Sequence, residues 1–135
     1  MKPVFFYGLF MDADLLRAKG LHPSNARLAH VRGHGLRIGE RATLEISPDE
    51  CAYGSIMELS EEELAKLYSD ISVADYVPRQ LLALDMQGQE LRVISYILPI
   101  QLVSGSNSQY ANALARIADK VGLPGHYVAE IKTWI

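Results

Sequence analysis

The chain has 135 residues, of which 49% are apolar and 21% charged, with a formal net charge of -3. That length carries one domain with a real core, and the balance excludes a disordered chain. The negative sum argues against a nucleic-acid surface, which needs clustered lysine and arginine; Arg27, Arg32, Arg37 and Arg41 look like a patch but are broken up by glycines and apolar residues.

Residues 2–7, KPVFFY, read as a strand, with Pro3 near its start and aromatics and Val filling it. Their apolar run stops at Gly8, too short for a signal sequence or a membrane span. MDADLLRAKG then reads as a short helix with Asp12 as N-cap, Leu15 and Leu16 on the buried face and Gly20 as the stop. Residues 21–27 read as loop, and residues 28–46 alternate with period two, interrupted by Gly33, Gly35 and Gly39 as if bent at a barrel corner. A turn at Pro48-Asp49 and a strand to about Glu58 follow.

The next boundary is the best marked. Ser60 with Glu63 makes a capping box, Leu59 with Leu64 a hydrophobic staple, and three glutamates suit the positive end of the helix dipole. Leu64, Leu67 and Tyr68 form the inner face of that helix. Residues 79–86 and 91–98 are two strands joined by a hairpin around Gly88, and Pro99 ends the second. After a SGSNS loop, Tyr110, Ala113, Leu114, Ile117, Ala118 and Val121 line one face of a long helix that Gly122 closes. Pro124-Gly125 precedes a short terminal segment. The order predicts a single α+β domain with a curved, largely antiparallel sheet closed into a small barrel.

Few constellations offer chemistry. His30 and His34 share a strand face, but no cysteine or carboxylate pair stands near to complete a metal site, so exposed histidines are the simpler reading and no metal is expected. No serine sits in a Gly-x-Ser-x-Gly elbow, and no glycine run has phosphate-loop spacing. Cys51 cannot form an internal disulfide, which fits a cytoplasmic setting, and it reads better as a small buried hydrophobe than as a nucleophile. What remains is Tyr7-Gly8-Leu9-Phe10, a glycine between strand and helix. Its consecutive N–H groups either form a nest for a carboxylate or a developing oxyanion, or Gly8 is there only to supply a positive φ.

The segment VFFYGLFMDADLL resembles the Tyr-Gly-Ser-Leu segment of the γ-glutamylcyclotransferase-like family, and the likeness continues in order. ATLEISPDECAYGSIMELSEEELAKL, with Gly54, is similar to that family's strand–glycine–strand–helix passage. DYVPRQLLAL, RVISYIL and GLPGHYVAEI resemble its later segments. The resemblance implies a mixed barrel with outer helices, and a cavity beside the Tyr-Gly loop for a γ-glutamyl or other carboxylate ligand. Tyr7, Gly8, Leu9, Phe10, Arg79 and Tyr96 are its expected binding residues, with Arg79 pairing a ligand carboxylate. It further implies cyclisation to 5-oxoproline with no cofactor, the substrate's own amine attacking its γ-carbonyl while one carboxylate moves the proton.

The chain departs from that pattern where the carboxylate should be. It reads Leu67-Tyr68-Ser69-Asp70-Ile71-Ser72, so Ile71 holds the family's glutamate position, and Leu9 stands where a serine is common. Asp70, one residue away, is the expected catalytic substitute if it is not a plain helix-end residue, and Asp75 reads as a solvated loop acid. The leading expectation is therefore a cyclotransferase using Asp70. The alternative is an inactive carboxylate-binding protein of the same fold, and a third reading is a module that pairs with its own copy as a homodimer.

Overall fold

The computed structural model describes residues 1–135 and closes five strands into a barrel in the order β1-β3-β2-β4-β5. The strands are β1 (Lys2–Phe6), β2 (Ser24–Ile38), β3 (Ala42–Leu59), β4 (Val77–Asp85) and β5 (Glu90–Ile97). The helices are α1 (Ala13–Ala18), α2 (Glu61–Leu67), α3 (Ser108–Val121) and α4 (Gly125–Lys132), with short 3-10 turns at Leu9–Met11 and Ile100–Leu102. No helix is long and apolar enough to cross a membrane.

Most of the sheet is antiparallel. β1 runs along β3 from Lys2 opposite Leu59 to Phe6 opposite Ser55, while β4 and β5 form a hairpin whose turn holds Gly88 at φ +78°. The barrel closes at one parallel contact, Val4 opposite Ile94, where the buried Ser95 hydroxyl also donates to Phe5 O at 2.9 Å. β1 approaches β3 so closely that a Cβ on Gly54 would collide with the Phe6 carbonyl oxygen. That contact accounts for the glycine in the middle of a central strand.

Helix ends follow the local chemistry. The Asp12 carboxylate accepts from Asp14 N, and Ser60 and Glu63 form a reciprocal capping box. Gly122 ends α3 in the left-handed region at φ +93°. The buried face of α3, Ala111, Leu114, Ala115 and Ala118, packs against α4 and the first 3-10 turn. Burying Leu114 alone contributes roughly 2–3 kcal/mol.

Three boundaries differ from the sequence reading. Residues 21–27 are not all loop, because β2 begins at Ser24 and Asn25 takes a left-handed φ of 54° there. Pro48-Asp49 is not a turn. β3 runs through it, and β2 pairing skips from Arg32–Cys51 to His34–Ile46, leaving Ser47 to Glu50 as an unpaired bulge. A proline suits such a bulge because no ladder partner needs its missing N–H. The terminal segment is a two-turn helix, α4, that buries Tyr127, Val128 and Ile131.

Candidate active site

The strand-to-helix turn after β1 opens onto a cavity of about 320 Å³ lined by 15 residues. Gly8 there is extended, at φ -105° and ψ -155°, so it is not required for a positive φ. Space is the reason: a Cβ on Gly8 would lie 2.8 Å from the Tyr110 hydroxyl. The 3-10 turn begins with Met11 N donating to Gly8 O and Asp12 N to Leu9 O. The amides of Gly8 and Phe10 donate to no carbonyl or side-chain acceptor, and the Leu9 N–H is directed at the Tyr110 hydroxyl oxygen.

Five tyrosines build the wall. Tyr7, at the end of β1, donates its hydroxyl to Tyr96 O at 2.8 Å, and Tyr76 donates to Ala42 O at 2.6 Å. Tyr68, the C-cap of α2, stacks on Tyr96 of β5 with ring centroids 3.7 Å apart and planes 11° from parallel. Phe10 meets Tyr68 edge-on at 6.2 Å. The Tyr68, Tyr96 and Tyr110 hydroxyls have no protein acceptor. Burial, reinforced by neighbouring tyrosines, raises the pKa of Tyr68 and Tyr110, and burial pushes Tyr76 up to about 12. All three therefore remain neutral hydroxyls near pH 7.

Two cations stand among the lining residues. Lys19 Nζ lies 5.8 Å from the Phe10 ring centroid, and the Arg41 guanidinium 5.7 Å from that of Tyr76. Arg41 makes a two-pronged pair with Asp75, at 2.6 and 2.7 Å, and also donates to Ser72 O at 3.0 Å. It thereby ties the turn of residues 69–75 to the start of β3. Asp75 is thus an ion-paired clasp and not a merely solvated acid, and the pair holds its carboxyl below the usual aspartate range.

The structure gathers Tyr7, Gly8, Leu9, Phe10 and Tyr96 around this cavity. It does not bring Asp70 or Arg79 to it. Asp70 is exposed, and its carboxylate accepts from Ser72 N at 2.9 Å and Ser72 Oγ at 2.7 Å, which lowers its pKa. This is the local cap of a tight turn, a role short acidic side chains often fill. Ile71 is 93% exposed, and the residues of this turn that reach the cavity are Ser72 and Val73. Arg79 lies exposed on β4 opposite Ser95. No aspartate or glutamate lines the cavity.

Sequence reasoning missed Tyr68, Tyr110, Tyr76, Lys19 and Arg41. Tyr68 and Tyr110 fall on apolar helix faces and read as core, whereas each sits near a helix end and lines the cavity. Arg41 belonged to an apparent basic patch that the fold dismantles: Arg27 pairs with Glu58, Arg37 with Glu45 and Glu50, and Arg41 with Asp75. His30 lies against Tyr53 at 5.4 Å, the His34 ring contacts Arg32 O, and Cys51 is half-buried.

No family model matches the sequence, and no curated protein matches it. Solved structures do share its fold. A gamma-glutamyl cyclotransferase superposes with a TM-score of 0.80 at 18% identity, over 99% of this chain and 88% of that one. A human protein described as uncharacterized superposes with a TM-score of 0.80 at 20% identity, over the same shares of the two chains, 99% and 88%. A yeast gamma-glutamyl cyclotransferase specific to glutathione gives 0.68 at 13% identity, over 98% and 94%. The chain therefore has the γ-glutamyl cyclotransferase fold, a closed mixed barrel with flanking helices.

Proposed function

We propose that this protein binds a small carboxylate-bearing molecule in the tyrosine-lined cavity and does not cyclise it. One observation carries the reading: the amides of Gly8 and Phe10 are unengaged beside the cavity, while no carboxylate lines it. Amides at a strand-to-helix turn stabilise an anion, and Lys19 adds positive charge, whereas Arg41 is already paired with Asp75. Cyclisation needs more. The substrate's α-nitrogen forms a bond to the γ-carbonyl carbon, the bond to the leaving amine breaks, and a proton travels from the attacking nitrogen to the leaving one. A carboxylate within hydrogen-bond reach would carry that proton, and the side chains offered by the relevant turn are a serine and a valine.

Calorimetric titration of the purified protein with small mono- and dicarboxylates tests this. Saturable 1:1 binding is expected, lost in Gly8→Val, with no 5-oxoproline released from γ-glutamyl peptides. No binding by any carboxylate would refute it.

A second reading is favoured by one contact. Ser72 lines the cavity and its hydroxyl donates to Asp70, so Asp70 could drain a proton through Ser72 and support cyclotransferase activity. That reading expects 5-oxoproline formation that Asp70→Asn abolishes. The binding reading expects Asp70→Asn to leave affinity unchanged.

A further inference from the structure

We propose that the ligand of this cavity is an organic anion without a free ammonium group: a deaminated, N-acylated or ring-closed carboxylic acid, in preference to an amino acid. The inference rests on the binding reading above and narrows it. Its basis is an imbalance of charge around the cavity, where an unpaired lysine stands and no carboxylate does.

Several of the backbone acceptors are engaged. Gly8 O takes Met11 N, Leu9 O takes Asp12 N, Tyr96 O takes the Tyr7 hydroxyl, Ala42 O takes the Tyr76 hydroxyl and Ser72 O takes Arg41. The nearby Asp75 carboxylate is held by both prongs of Arg41. Several donors are not. The amides of Gly8 and Phe10 and the Tyr68, Tyr96 and Tyr110 hydroxyls have no protein acceptor, and Lys19 makes no ion pair. Of the 15 lining residues 11 are hydrophobic. An ammonium moved into such surroundings loses its water and gains no counter-charge, whereas a carboxylate exchanges water for fixed N–H and O–H donors. At about 320 Å³ the cavity is at the small end of ligand pockets, suited to a compact acid.

Matched pairs that differ in the ammonium test this: 3-phenylpropionate against phenylalanine, and glutarate against glutamate, each titrated calorimetrically at pH 7. The ammonium-free member of a pair is expected to bind about tenfold tighter or more, and N-acetylphenylalanine to regain most of the lost affinity. Val73→Glu, which places an acceptor on a lining position, is expected to shrink the gap within each pair. Amino acids binding as tightly as their ammonium-free partners would overturn the inference and leave the binding reading standing. No binding by either member of both pairs would overturn the two together.

Discussion

Gly8→Ala tests the geometry of the anion loop through a single neighbour. The added methyl would sit 2.8 Å from the Tyr110 hydroxyl, about 0.6 Å inside the 3.4 Å at which ordinary contact begins, with no other atom within 4 Å. Backbone strain plays no part, because φ -105° is open to alanine. Overpacking of this kind costs about 1–3 kcal/mol. The lower end applies because the obstacle is the tip of a side chain whose hydroxyl donates to no protein acceptor. Gly8→Ala should therefore lose about 1 kcal/mol, or about 4 °C in Tm for a domain of this size. Displacing the hydroxyl into the cavity should also weaken carboxylate binding. In a Tyr110→Phe background the obstructing atom is gone, so the same substitution should cost nothing or stabilise by about 0.5 kcal/mol through the less flexible unfolded chain. Thermal unfolding of the two single variants and the double variant gives the coupling energy, expected near 1 kcal/mol. An equal loss of Tm in both backgrounds would show that Tyr110 is not what Gly8 accommodates.

Three further outcomes follow from the fold. Ser60→Ala removes the hydroxyl that accepts from Glu63 N and should cost about 1 kcal/mol, lowering Tm by about 4 °C; an unchanged Tm would mean the capping box contributes nothing. Ser95→Ala breaks the hydroxyl contact to Phe5 O at the parallel seam and should lower the urea midpoint by the equivalent of about 1 kcal/mol at constant m-value, and a changed m-value would point to a barrel that opens. Arg41 holds the Asp75 pKa below its ordinary 3.8. The stability from this pair is therefore present above that value and lost as pH falls through the lower folded value. Asp75→Asn should give a shallower acid limb below pH 3.8, read as Tm against pH, and a limb parallel to the parent's would contradict the clasp.

Much of the fold was legible because its signals are local. The capping box at Ser60, the stop at Gly122, the hairpin at Gly88 and the period-3.6 face of α3 each depend on residues within a few positions, and each stands where the sequence put it. The misread boundaries depend on partners far away. Pro48 looks like a turn until β2 skips past it, and α4 buries Tyr127, Val128 and Ile131 in a core assembled from the rest of the chain.

The candidate site divides the same way. Tyr7 to Phe10 could be read from a glycine between apolar neighbours, although the reason for the glycine, a hydroxyl 102 positions along the chain, could not. The aromatic wall gathers side chains from β1, α2, β5, α3 and the turn before β4, and no local pattern marks that meeting. Asp70 shows the limit of reading a site by its place in a motif. Proximity in sequence to a catalytic position does not aim a carboxylate, and here two short hydrogen bonds to Ser72 aim it elsewhere.

The most direct measurement is an amide-resolved NMR titration of the protein with 3-phenylpropionate. The account predicts that the Gly8 and Phe10 N–H resonances shift downfield together and saturate along one binding curve. Saturable binding that leaves those two resonances unmoved would contradict it.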